Sequence, residues 1–160
     1  AAFFGFAIGS APIVSYNYGA DNRAELRSIF RKSVTLTLGA SAVIVGASEL
    51  FSRPLAAAFV AYDPQLMELT AHGFRLFALC YLFCGINVFA SSFFTALCNG
   101  AVSALLSFTR TLLFRGGMVL LLPRLLKTDG IWLAVAAAEG LGAVMSLAFL
   151  WGGRKKYHYL

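Results

Sequence analysis

The 160-residue chain is 59% hydrophobic and only 12% charged, whereas an ordinary soluble domain gives about a quarter of its residues to charge. That balance excludes a soluble globular domain and implies helices that use the bilayer as solvent. Thirteen Lys and Arg stand against seven Asp and Glu, a formal charge of +6; the cations lie in short clusters between apolar runs, a membrane-topology pattern that excludes nucleic acid as a partner.

In chain order, residues 1–20 carry no charge and are about long enough to cross a hydrocarbon core of roughly 30 Å. The run has no basic n-region and no cleavage site, so it reads as the middle of a helix of a longer protein and not as a signal peptide. Gly5 and Gly9 form a GxxxG, which suits close helix packing, and Pro12 is expected to kink this first span. A basic connection with Arg23, Arg27, Arg31 and Lys32 follows. The second span is then expected over 31–51, its basic flank snorkelling. Residues 54–62 are apolar but too short to span, and with Asp63-Pro64 behind them they read as an interfacial or re-entrant piece.

No charge occurs from Leu76 to Thr109. That is too long for one crossing, and Asn99-Gly100 is its natural break, giving a third span over 76–98. On it Cys80, Cys84, Asn87, Ser91, Thr95 and Cys98 recur at helical spacing and form one face; Leu82, Ile86, Phe89, Phe93 and Leu97 form the opposite, lipid-facing one. The polar face must meet other helices or a water-filled cavity. Two readings stay open: interhelical packing, or a translocation cavity with Asn87, Ser91 and Thr95 on its wall. The cysteines match neither a CxxC pair nor a metal spacing and read as small buried thiols.

The fourth span, 101–122, holds Arg110 and Arg115, each costing about 2.5 to 3.5 kcal/mol at a helix centre on insertion scales, so both should sit towards one end or face protein. The fifth, 130–152, is bracketed by Trp132 and Trp151, about 29 Å apart along a helix, one indole at each interface. Within it Glu139 shares a face with Trp132, Ala136, Ala143 and Ser146 and points into the bundle. It is either a proton or cation coupling group or a structural partner, for example of Arg110. Parity places Arg23 to Lys32 and Arg154 to Lys156 on one side. With Arg110 and Arg115 at the connection before the fourth span, nine cations face four (Arg53, Arg75, Arg124, Lys127). The positive-inside rule makes that side, and the C-terminus, cytoplasmic. No metal-ligand companion for His72 or His158, no phosphate loop and no activated nucleophile appears, so no enzyme and no cofactor is expected.

The stretch Pro12-Ile13-Val14-Ser15-Tyr16-Asn17-Tyr18-Gly19-Ala20, followed by a basic connection, resembles the multidrug and toxic compound extrusion (MATE) family, where a similar motif ends the eighth of twelve helices. Further similarities follow in order: Pro54 to Phe59 with Asp63-Pro64, Ala96-Leu97 with Asn99-Gly100, Arg110 opening the next helix as a cytoplasmic-side cation, and Leu121-Leu122-Pro123 with Asp129-Gly130-Ile131-Trp132. The resemblance implies an all-α membrane protein, with about five helices forming most of one six-helix lobe. Its function would be H⁺- or Na⁺-coupled export of amphipathic or cationic organic molecules by alternating access. The bilayer, the small organic substrates and an N-terminal lobe are the implied partners, and the plasma (inner) membrane the location. Ala11 stands where Gln is common, Cys98 where Gly is common and Thr111 where Gln often follows the Arg. The third span also lacks the carboxylate that some members use. The motif Pro12, Tyr16, Asn17, Gly19 is otherwise explained as a helix terminus, with Gly as a left-handed cap and the tyrosines at the interface. A related flippase for lipid-linked saccharides, or a non-transporting membrane subunit, are the alternative functions.

Overall fold

A computed structural model describes residues 1–159, and among these the chain is all-helical. The helices are α1 (Ala2–Gly19), α2 (Arg23–Val60), α3 (Pro64–Ala78), α4 (Cys80–Ala96), α5 (Gly100–Phe108), a π-helical segment (Thr109–Arg115) and α6 (Gly116–Tyr157). Three continuous stretches, 23–60, 64–96 and 100–157, are long and apolar enough to cross a membrane. The last doubles back at Lys127, whose φ of 52° and ψ of −125° break the helix. The chain therefore makes five helical passes along one bundle.

The breaks are made by capping side chains, which supply acceptors to N–H groups that the first helical turn leaves free. Asn22 Oδ1 accepts from Glu25 N at 3.2 Å, Asp63 Oδ1 from Gln65 N at 2.9 Å and Leu66 N at 3.2 Å, and Asn99 Oδ1 from Val102 N at 3.3 Å. Beside the first of these caps, the hydrogen bond from Arg23 and its positive charge hold the Asp21 carboxyl below the usual range.

Residues 54–62 do not form a separate interfacial piece. Pro54 lies inside α2, which continues to Val60 for 38 residues, about 57 Å at 1.5 Å per residue. The extension is held by α3, which folds back on it: Arg53 pairs with Glu68, and Arg75 reaches Glu49 at 3.7 Å and Ser52 Oγ at 2.9 Å. Likewise α1 runs helically through Pro12, and an added Cβ at Gly5 or Gly9 would meet nothing within 4 Å, so the GxxxG is not a packing contact among the described residues.

The apolar face of α4 is a correction to the lipid-facing expectation. Ile86, Phe89, Phe93 and Leu97 are all buried, and Leu82 alone is exposed. Phe30 of α2 packs on Phe89 and Phe93 at ring-centroid distances of 5.9 and 5.2 Å. Helix α4 is the central post of the bundle, and α1 is tied to it by Ser92 Oγ on Ala7 O at 3.0 Å and Ser15 Oγ on Ala96 O at 2.9 Å. Gly85 makes the approach of α2 possible: a Cβ there would lie 2.7 Å from Thr37 Cγ2 and 2.8 Å from Ser41 Oγ.

After α6 the chain turns at His158, in the left-handed region at φ 56°, and sends Tyr159 back into the bundle. Its ring lies 4.9 Å from both Phe30 and Phe93, and its hydroxyl donates to Leu150 O at 2.6 Å. Arg27 Nε donates to His158 O at 3.3 Å. The two basic clusters, 23–32 and 154–156, therefore share one end of the bundle.

Candidate functional site

The π-helical segment sets the geometry of the polar centre. On an α-helix Arg110 and Arg115, five residues apart, would point about 140° away from each other. Hydrogen bonding from i to i+5 instead brings them onto one face. That face meets α6 at Glu139, which is 1% exposed. Arg115 Nη2 donates to Glu139 Oε1 at 2.6 Å, and Arg110 Nη1 reaches Oε2 at 3.5 Å.

The third side belongs to α4. Asn87 Nδ2 donates to Glu139 Oε2 at 2.8 Å and to the Glu139 backbone carbonyl at 2.9 Å, and Ser146 Oγ donates to Asn87 Oδ1 at 3.0 Å. The buried carboxylate thus bridges three helical segments, as its desolvation requires. Two guanidiniums against one carboxylate leave the cluster one net positive charge, with the Arg115 side chain 44% exposed and that of Arg110 17%. Gly142 admits this packing: a Cβ there would lie 3.0 Å from Asn87 Nδ2 and 3.1 Å from Arg110 Cγ.

The rest of the polar stripe meets α5. Ser91 Oγ lies 2.9 Å from Ser103 Oγ and 2.8 Å from Ser107 Oγ, and Thr95 Oγ1 donates to Ser103 Oγ at 2.7 Å. The stripe Asn87, Ser91, Thr95 is therefore an interhelical hydrogen-bonding seam, buried at Asn87, half-buried at Ser91 and exposed at Thr95. The thiols on this face are not all buried as expected: Cys80 is buried, Cys84 half-buried and Cys98 exposed.

The motif at the end of α1 divides. Asn17 is buried, its Nδ2 donating to Ile13 O at 2.9 Å, while Tyr16 is 76% exposed. Gly19 does not adopt the left-handed cap expected of it; Asp21 does, at φ 49°. Arg110 is also displaced from its expected place at the connection after Asn99-Gly100. Its partner Glu139 lies seven residues from Trp132 and twelve from Trp151, well inside the fifth helical pass. Trp132 packs flat on Gly73 of α3, where a Cβ would lie 2.5 Å from the indole.

A bundle of apolar helices, with a charged cluster at its centre and one basic end, suits a membrane transporter. A family model described as MatE matches residues 1–116. The chain belongs to the MATE family. It is thus an integral membrane protein of a transporter family. The match includes the motif at Pro12 to Ala20, Asn87, Arg110 and Arg115 and stops before Glu139. No curated protein and no solved structure matches the chain.

Proposed function

We propose that this MATE chain is part of an H⁺- or Na⁺-coupled antiporter that exports amphipathic or cationic organic molecules by alternating access, working against an N-terminal lobe. The observation that carries the reading is Glu139, a buried carboxylate deep within a membrane-spanning pass and shared by α4, the π-helical segment and α6. An ionisable group in such a place is by default a candidate functional site. A proton or Na⁺ that takes up the carboxylate competes with the two guanidiniums, so cation binding loosens the π-helical segment from α6. That links an ion to helix packing, as alternating access requires.

The same reading places the protein in the plasma membrane with the C-terminus cytoplasmic. Arg110 and Arg115 are held at Glu139 inside the bundle and not at a span end, so the count becomes seven cations at the basic end against four elsewhere; the positive-inside rule gives the same orientation. A flippase would need a large cationic cavity for phosphate-bearing headgroups, which a cluster with one net positive charge does not supply.

The test is efflux of a cationic dye from vesicles holding the intact protein, under an imposed H⁺ or Na⁺ gradient. One of the two gradients is expected to drive dye accumulation against its own gradient. Dye movement that ignores both would refute cation coupling.

A further inference from the structure

Arg154, Lys155 and Lys156 close the last turn of α6, and among the described residues none of them forms a salt bridge. Arg154 lies over the ring of the exposed Trp151, 3.8 Å from its centroid, which sets the cluster at a membrane interface. Next to it the end of α4, the start of α5 and the last turns of α6 enclose an open groove of about 460 Å³, within the range of roughly 300 to 1,000 Å³ typical of ligand pockets. Phe94, Val102, Ala148 and Phe149 make its apolar walls, and Gly152, where an added Cβ would meet nothing within 4 Å, keeps it wide.

Polar groups gather at one edge. Lys156 lines the groove, its ammonium 5.3 Å from the Tyr157 ring centroid. Asn99 Nδ2 donates to Tyr157 Oη at 2.7 Å, which occupies an acceptor position on the phenol. The phenol's own proton has no acceptor among the described residues, although Tyr157 is only 6% exposed. An apolar slot that ends in a spare O–H donor and an ammonium with no salt bridge among the described residues is complementary to an acyl chain bearing an anionic phosphate.

We propose that this groove binds an anionic phospholipid from the adjoining leaflet, one acyl chain between Phe94, Val102 and Phe149 and its phosphate against Lys156 and the Tyr157 hydroxyl. A zwitterionic lipid offers the same chains and phosphate but carries a cation beside it, so repulsion between that cation and the Lys156 ammonium at the groove edge selects the anionic lipid. The site is remote from Glu139 and stands whether or not that carboxylate couples transport.

The intact protein in mild detergent is incubated with equal amounts of phosphatidylglycerol and phosphatidylcholine, and retained lipid is read by native mass spectrometry. One phosphatidylglycerol is expected to be retained in preference. Lys156→Gln should lower that preference about fivefold, the effect of one interfacial cation. Gly152→Leu should empty the groove without disturbing the fold, since an added Cβ there meets nothing within 4 Å. Lys155→Gln, which does not line the groove, should leave retention unchanged. Equal retention of the two lipids, or a preference that survives both Lys156→Gln and Gly152→Leu, would overturn the proposal. So would cross-linking of Gly152→Cys to another segment of the intact chain with no lipid retained, which would make the occupant protein.

Discussion

Arg115 Nη2 lies 2.6 Å from Glu139 Oε1 across 24 residues of sequence, so the turn at Lys127 is closed by a charge pair within the membrane-spanning passes. The second guanidinium, Arg110, completes a cluster in which every side chain has a partner, although Arg115 Nε is itself buried without one among the described residues. Breaking a buried pair by removing one partner costs about 3 to 5 kcal/mol, whereas replacing the whole set with apolar groups is often neutral. Glu139→Gln should therefore lower the melting temperature of the detergent-solubilised protein, and adding Arg110→Leu and Arg115→Leu should recover most of the loss. A triple variant no more stable than Glu139→Gln would contradict the pairing.

Glycine packing at the cluster gives an independent check. Gly142→Ala drives a methyl against Asn87 Nδ2 and Arg110 Cγ and is expected to destabilise by about 1 to 3 kcal/mol, the range for overpacking. Gly116→Ala, where an added Cβ meets nothing within 4 Å, should be neutral or stabilise by up to about 1 kcal/mol in the same denaturation assay, since Ala is the better helix former.

The legibility of this fold in its sequence follows residue chemistry. The breaks at Asp63-Pro64 and Asn99-Gly100 were readable because turn-forming residues interrupt apolar runs, whereas the cap at Asn22 was not. The inward faces of Asn87 and Glu139 were readable because hydrocarbon rejects them. The burial of Ile86, Phe89 and Phe93 was not, because lipid and protein interior are equally apolar and hydropathy cannot separate them. Nor was the union of Arg110 and Arg115, since α-helical spacing sets them apart and only the π-helical segment realigns them. The one cue was energetic, the need of two intramembrane cations for a carboxylate.

Cys98 ends α4 in the left-handed region at φ 57°, where an L side chain costs roughly 1 to 2 kcal/mol and glycine almost nothing. Cys98→Gly should raise stability by about 1 kcal/mol. Cys98→Ala, which keeps the Cβ, should not. Equal effects of the two substitutions would place the cost elsewhere.

The exposure gradient along the α4 stripe predicts a labelling pattern. In a background with the native cysteines replaced, a cysteine at Thr95 should react with a water-soluble thiol reagent, one at Ser91 more slowly, and one at Asn87 not at all, following their exposed, half-buried and buried positions. Equal labelling at all three would show a continuous water-filled cavity in place of the seam with α5.

Tyr159 anchors the chain end against Phe30 and Phe93, and burial pushes its phenol up, so it remains a donor to Leu150 O. Tyr159→Phe should cost about 1 kcal/mol for the lost hydrogen bond, and Tyr159→Ala about 3 to 5 kcal/mol for the emptied site, both read by thermal denaturation.

The most direct test of the coupling role assigned to Glu139 separates driven transport from passive exchange. Vesicles holding the intact protein with Glu139→Gln are compared with the unaltered protein for gradient-driven dye accumulation and for exchange of labelled against unlabelled dye without a gradient. The coupling role predicts that accumulation is abolished while exchange persists in a folded protein. Accumulation at the unaltered rate would contradict it and leave Glu139 as a structural brace alone.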